Sequence, residues 1–189
     1  MISSNIILIR HAKKPEESQH EPGIDSNGRE DPYSLSLEGW QQAKQLAELF
    51  VSRNGILPIP DRIFASAFRA GGGHSRRPEQ TVLPLSEILH CPIDMTWALH
   101  EEKAFGAALC HLKGTSLVCW QHQGLAALAK AIVLPEEFST LQDWPSDCYN
   151  MIWQLNRSNP TVPWCFKSYN ITDHGKLKLH SSETARLPL

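Results

Sequence analysis

The sequence predicts a three-layer α/β/α sandwich on a mostly parallel central sheet. Two observations carry that expectation. Short β-branched runs without polar alternation mark strands buried on both faces, and amphipathic stretches of helical period lie between them. A third sets the scale: 189 residues with 41% apolar composition suffice for one substantial core, so a single domain over residues 1–189 is expected.

The first strand is Asn5-Ile-Ile-Leu-Ile9, expected at the centre of the sheet. Residues 13–34 follow, polar and rich in Pro, Gly and Asp, and read as a long structureless loop, either functional or disordered. Leu37 to Phe50 reads as an amphipathic helix on the sheet, with Trp40, Ala43, Ala47 and Phe50 at helical spacing and Ser36 placed to cap it. The cycle repeats with a strand near 61–65, a helix from Pro78 to about Leu89 with proline in its first turn, and a short strand near Ile93. A helix over 101–112 comes next, then a buried strand at Thr115–Cys119 and an Ala-rich helix over 125–132 ended by Pro135. Tyr149 to Leu155 and Pro163 to Ile171, joined by the turn-rich 156–160, predict a C-terminal hairpin. Residues 181–189 read as a loose polar tail.

Charge is nearly balanced, Lys+Arg 18 against Asp+Glu 20, and no long basic block could track a nucleic-acid backbone or an anionic membrane. The apolar run 6–9 is too short for a signal-peptide core, and no stretch approaches the roughly 20 apolar residues of a membrane span. Five scattered cysteines without CxxC spacing indicate neither a disulfide framework nor a zinc ribbon, and a reducing cytoplasm fits best. Cys119 and His122 form a Cys-x-x-His pair with no partner pair, so no metal is expected, and no cofactor.

In such a sheet ligands bind outside the carboxyl ends of the strands. Two strands end there in histidine, through Ile9-Arg10-His11 and through Cys119-Trp-Gln-His122. The strand ending at Ala65-Ser66 sends a basic Gly-rich loop, Phe68 to Arg77, to the same edge. A phosphate dianion suits this set, since guanidinium groups match its oxygens and imidazole can donate to it or attack it. Gly71 to Gly73 lack a following Gly-Lys-Ser/Thr, so solvated flexibility is the expected role there, not a nucleotide loop.

Leu8-Ile-Arg-His-Ala12, Leu35-Ser-Leu-Glu-Gly39 with Gln42-Ala43, Ala65-Ser66 with Arg77-Pro-Glu-Gln-Thr81, and the strand ending in His122 together resemble the histidine phosphatase, or phosphoglycerate mutase-like, superfamily. Arg-His-Ala-x-Lys-Pro, Cys-Trp-Gln-His and Trp144-Pro-Ser-Asp147 are similar to a less-characterised branch of it. The resemblance implies a phosphoglycerate mutase-like fold and a phosphatase acting on a phosphomonoester, small molecule or phosphoprotein, through a phosphohistidine. His11 would be the nucleophile, Arg10 and Arg77 the phosphate clamps, and His122 the second imidazole. Arg69 matches by its distance from Ser66, but Arg77 opens a helix whose N-terminus also favours anions. The family's proton-donating carboxyl falls on Glu101 within Leu99-His-Glu101, or on Glu102 by its distance to Phe105-Gly106; either could instead serve the helix dipole. Mutase-like transfer and a low-turnover phosphate-binding module are the alternatives.

Overall fold

β1 (Ser4–Arg10) is buried along its whole length because it lies between two strands and two helical layers. The computed structural model describes residues 3–52, 55–69, 74–133, 143–172 and 175–184. On one side β1 pairs in parallel with β4 (Gly114–Trp120), and beyond β4 lie β2 (Arg62–Ala65) and β3 (Ile93–Asp94), also parallel. On the other it pairs antiparallel with β5 (Met151–Arg157), followed by β6 (Cys165–Ile171) and β7 (Leu177–Thr184). The seven-stranded order is β3-β2-β4-β1-β5-β6-β7, so the sheet is mixed, with the parallel half carrying the strand ends of interest.

α1 (Leu37–Val51) and α2 (Arg77–Leu89) cover one face, burying Leu46, Phe50, Val82 and Leu85 against Ile7, Ile9, Leu117 and Cys119. α3 (Glu102–Leu109) and α4 (His122–Ile132) cover the other, where Phe105, Leu125 and Ile132 meet Ile6, Leu8, Val118 and Trp120. Successive residues of β1 and β4 thus feed opposite cores, the two-residue alternation of a pleated strand. Ser36 caps α1 as expected, its Oγ accepting from Gly39 N at 3.0 Å.

Several boundaries differ from expectation. α3 ends at Leu109, because His111 and Leu112 turn toward β4 through hydrogen bonds of three-residue reach, to Ala108 O and Leu109 O. α4 begins at His122, since its first turn faces the strand ends and needs no apolar residue. The expected tail is shorter, because residues 181–184 continue β7 against β6. Pro135, Gly71 to Gly73 and residues 185–189 lie outside the described residues. Residues 13–34 are folded: Ile24 bridges Glu30 and Leu35, Asp25 Oδ1 accepts Asn27 N and Arg29 N at 2.8 Å each, and Trp40 Nε1 donates to Ile24 O. No helix among the described residues is long and apolar enough to cross a membrane.

Candidate active site

The carboxyl ends of β1, β2 and β4 and the N-termini of α2 and α4 meet at one edge of the sheet. His11 stands just past β1, tied to β4 by its N–H to Trp120 O at 3.0 Å, and is only 6% exposed. Its Nδ1 lies 2.8 Å from Ala12 O, and a carbonyl can only accept, so Nδ1 carries the proton. Nε2 therefore keeps its lone pair. Burial is the main force pushing the His11 pKa down to about 3; the bond to Ala12 O opposes it, and the charges of Arg10, Arg77 and His122 add to it.

The turn that presents His11 is held by the motif residues that flank it. Ala12 N donates to Thr81 Oγ1 at 2.8 Å, and that hydroxyl donates to Arg77 O at 2.7 Å. Lys13 N donates to Gln42 Oε1, and Lys13 O accepts from Ser36 N. Gly39 is required here, because a Cβ on it would collide with Lys13 O and press on Leu35. Gln80 bonds Leu35 N and Ser34 Oγ, which locks the loop before α1 to α2.

Arg10 is 4% exposed; its Nη1 donates to Ser146 O at 2.6 Å and Cys148 O at 3.2 Å, and its Cζ lies 3.7 Å from the Tyr149 ring centroid. The Trp144-Pro-Ser-Asp147 segment thus braces the arginine, and Trp144 Nε1 secures it by donating to Cys148 O. Arg77, first residue of α2, donates from Nε to Ser34 O at 3.0 Å and from Nη2 to Pro32 O at 2.7 Å. His122 opens α4 and is half-buried; desolvation lowers its pKa, with Arg10 and Lys14 pushing the same way. Lys14 and Arg77 share a cleft of about 470 Å³ under the 13–34 loop.

Three buried polar atoms without a protein hydrogen-bond partner sit at these strand ends: Arg10 Nε, Ser66 Oγ and Gln121 Nε2. Unsatisfied groups of this kind are rare in folded proteins; three others among the described residues, Asn5 Nδ2, Arg157 Nε and Ser168 Oγ, lie away from this edge. No group of three or more His, Cys, Asp or Glu among the described residues could hold a metal.

Both candidate acids have protein partners. Glu101 is paired through Oε2 with Arg69 and also accepts Ala98 N at 2.7 Å. Glu102 is 8% exposed, and its Oε1 accepts Trp120 Nε1 at 2.9 Å and His100 N at 3.1 Å. Trp120, the last residue of β4, is fully buried, its ring 5.4 Å from that of Phe105. Ser66 lay in the Ala65-Ser66 motif segment, whereas Tyr149 carried no signal of its own. Thr81 and Gln42 lay inside the motif segments, and their hydroxyl and amide hold the turn.

No protein-family model matches the sequence. No curated protein matches it either. Among solved structures, it is similar to the protein histidine phosphatase SixA complexed with tungstate, at 14% identity over 95% of this chain and 96% of that one, TM-score 0.49. A mycobacterial hydrolase is 17% identical over 97% of this chain and 100% of its own, TM-score 0.44. A protein of Escherichia coli assigned as an alpha-ribazole-5'-phosphate phosphatase is 14% identical over 98% of each chain, TM-score 0.42.

Proposed function

We propose that the chain hydrolyses a phosphomonoester through a phosphohistidine on His11. The observation that carries this reading is the state of that side chain: a buried imidazole, neutral, with Nδ1 engaged by Ala12 O and Nε2 left as a lone pair among Arg10, Arg77 and His122. A positively charged setting would hold a phosphoryl group, and the neutral Nε2 can attack it. Nε2 forms the N–P bond as the ester P–O bond breaks and the leaving oxygen departs with its electron pair. Water then attacks phosphorus, the P–N bond breaks, and phosphate leaves. The N-termini of α2 and α4 add favourable dipoles at the same edge. His122, donating from one ring nitrogen, stabilises the transferring oxygens.

Purified protein mixed with a generic aryl phosphate at mildly acidic pH tests the reading, with labelled phosphate trapped by rapid quench. Turnover and an acid-labile, alkali-stable label are expected, both lost in His11→Ala. His122→Ala is expected to slow turnover and retain some phosphate affinity. Complete inactivity of the folded protein toward phosphate esters, or a label that survives His11→Ala, overturns it. A second reading, phosphate binding with little turnover, is favoured by the commitment of Glu101 to Arg69 and of Glu102 to Trp120 and His100. Phosphate affinity without turnover is its signature.

A further inference from the structure

Asp147 stands at the tip of a turn closed by Cys148 N, which donates to Pro145 O at 3.2 Å. The carbonyls on either side of it, those of Ser146 and Cys148, accept from one nitrogen, Arg10 Nη1, at 2.6 and 3.2 Å. Peptide geometry then holds the Asp147 Cα within about 6 Å of that nitrogen. The turn is anchored from behind by Trp144, which is buried, donates from Nε1 to Cys148 O at 3.0 Å, and sets its ring 4.8 Å from that of Trp153 in β5. Beyond the turn, Tyr149 packs on the Arg10 guanidinium and lies 6.1 Å from the His11 ring. Asp147 is thereby fixed beside the phosphate clamp that immediately precedes the proposed nucleophile.

The side chain of Asp147 is exposed and has neither a hydrogen bond nor an ion pair among the described residues. Its charge is felt at Arg10: burial lowers the pKa of the guanidinium, and Tyr149, Cys148 and Asp147 oppose that. A carboxylate in this place works against the anion that Arg10 is proposed to bind, because like charges repel. The segment that braces the clamp therefore also carries a group that weakens it, which calls for a chemical use.

The chemistry of departure supplies one. An alkoxide, whose parent alcohol has a pKa near water's value of about 15.7, needs a proton as it leaves phosphorus. A phenolate, of parent pKa about 10, leaves far more readily without it. Glu101 is held by Arg69 and Ala98 N, and Glu102 by Trp120 and His100 N, so neither is poised to hand over that proton. Glu16 and Glu38 are paired with Lys13, and Asp31 with Arg76 and Ser34.

We propose that Asp147 is the proton donor of the reaction, its carboxyl meeting the ester oxygen of a phosphoryl group held by Arg10. The inference rests on the phosphatase reading for the placement of that group. As His11 Nε2 forms the N–P bond, the ester P–O bond breaks, its electron pair stays on oxygen, and the Asp147 carboxyl proton passes to that oxygen to give the free alcohol. The resulting carboxylate then takes a proton from the water that attacks phosphorus, the P–N electron pair returns to Nε2, and phosphate leaves. A bound phosphoryl group brings negative charge beside Asp147, and two like charges in one place favour the carboxyl that holds its proton.

Kinetics of the full chain with two matched esters, benzyl phosphate and phenyl phosphate, test it through kcat/KM, which reads no step after the alcohol departs. Asp147→Asn keeps both carbonyls that hold Arg10 and removes only the acid. Its kcat/KM for benzyl phosphate is expected to fall about 10²- to 10⁴-fold, the range of a positioned acid, and that for phenyl phosphate much less, so that their ratio drops about tenfold or more. Inorganic phosphate is expected to bind the variant about 2- to 10-fold more tightly in a calorimetric titration at pH 7.5, because a like charge beside it has gone. Equal losses on both esters, no loss, or weaker phosphate binding overturn the donor and leave the phosphatase reading standing. So does a ratio that falls in Glu30→Gln, a carboxyl lining the cleft of Lys14 and Arg77, and not in Asp147→Asn. A natural protein that cleaves neither ester overturns both readings.

Discussion

Lowering the pH is expected to load a proton onto the unfolded chain that the folded His11 refuses. The ordinary histidine pKa of 6.5 falls to about 3 in the fold, chiefly through burial. A depressed value means the unfolded state binds the proton first, so the stability held by neutral His11 is fully present above about pH 6.5 and is lost as pH falls toward 3. At pH 5 the unfolded chain is roughly 1.5 pH units below its pKa while folded His11 stays neutral, a loss of about 2 kcal/mol at 1.36 kcal/mol per unit. For a chain of this size that is about 4–8 °C in Tm. Urea unfolding of the natural protein and of His11→Asn, at pH 7.5 and 5.0, isolates the effect. The asparagine amide can donate to Ala12 O and does not titrate, so the natural protein should lose about 2 kcal/mol more than the variant. Equal losses, or an imidazole NMR titration of His11 with a midpoint near 6.5, would refute the reasoning.

Arg77→Ala should weaken inorganic phosphate binding by about 1.5–3 kcal/mol in a calorimetric titration, the scale of a hydrogen bond to a charged group, whereas Arg69→Ala, whose guanidinium is committed to Glu101, should change it little. Gly39→Ala sets two effects against each other: helix propensity alone predicts a gain of about 1 kcal/mol, while collision of the new Cβ with Lys13 O predicts a loss of about 1–3 kcal/mol. A lowered Tm is expected, and an unchanged or raised one would mean that the 12–14 turn yields. Alkylation of the native protein should tag Cys91, Cys110, Cys148 and Cys165 but not Cys119, whose fully buried thiol is pushed far above its usual range; labelling of Cys119 without unfolding, read by peptide mass analysis, would contradict that placement.

The strands and helices that bury apolar side chains were readable from the sequence because burial on both faces leaves an uninterrupted run, as in Ile6 to Ile9, and burial on one face leaves a helical stripe, as in α1. β7 escaped because an edge strand has one neighbour and little to bury: Leu-Lys-Leu-His-Ser-Ser-Glu-Thr has the composition of a tail. At the site, Arg10, His11, Arg77 and His122 could be gathered by asking which residues follow the parallel strands. Their partners could not. Arg10 is braced by carbonyls of Ser146 and Cys148 and by the Tyr149 ring, all far along the chain, and backbone acceptors have no residue identity to read. The pairing of Arg69 with Glu101 is likewise a tertiary accident of two loops, and it settles which groups hold Glu101 only in three dimensions.

The position of β1 has a consequence for how the chain comes off the ribosome. This seven-residue strand, buried throughout in the finished fold, is made before both its neighbours, residues 114–120 and 151–157. Until those segments are made, Ile6 to Ile9 is an apolar strand with both hydrogen-bonding edges open, a template for wrong pairing. Closing it requires contacts of high sequence separation on both sides, the kind that slow folding most. His11 hangs from the end of that strand, so its shelter from solvent waits for these distant segments. A chain halted before Trp144 would carry His11 without the brace for Arg10 and without a second edge for β1.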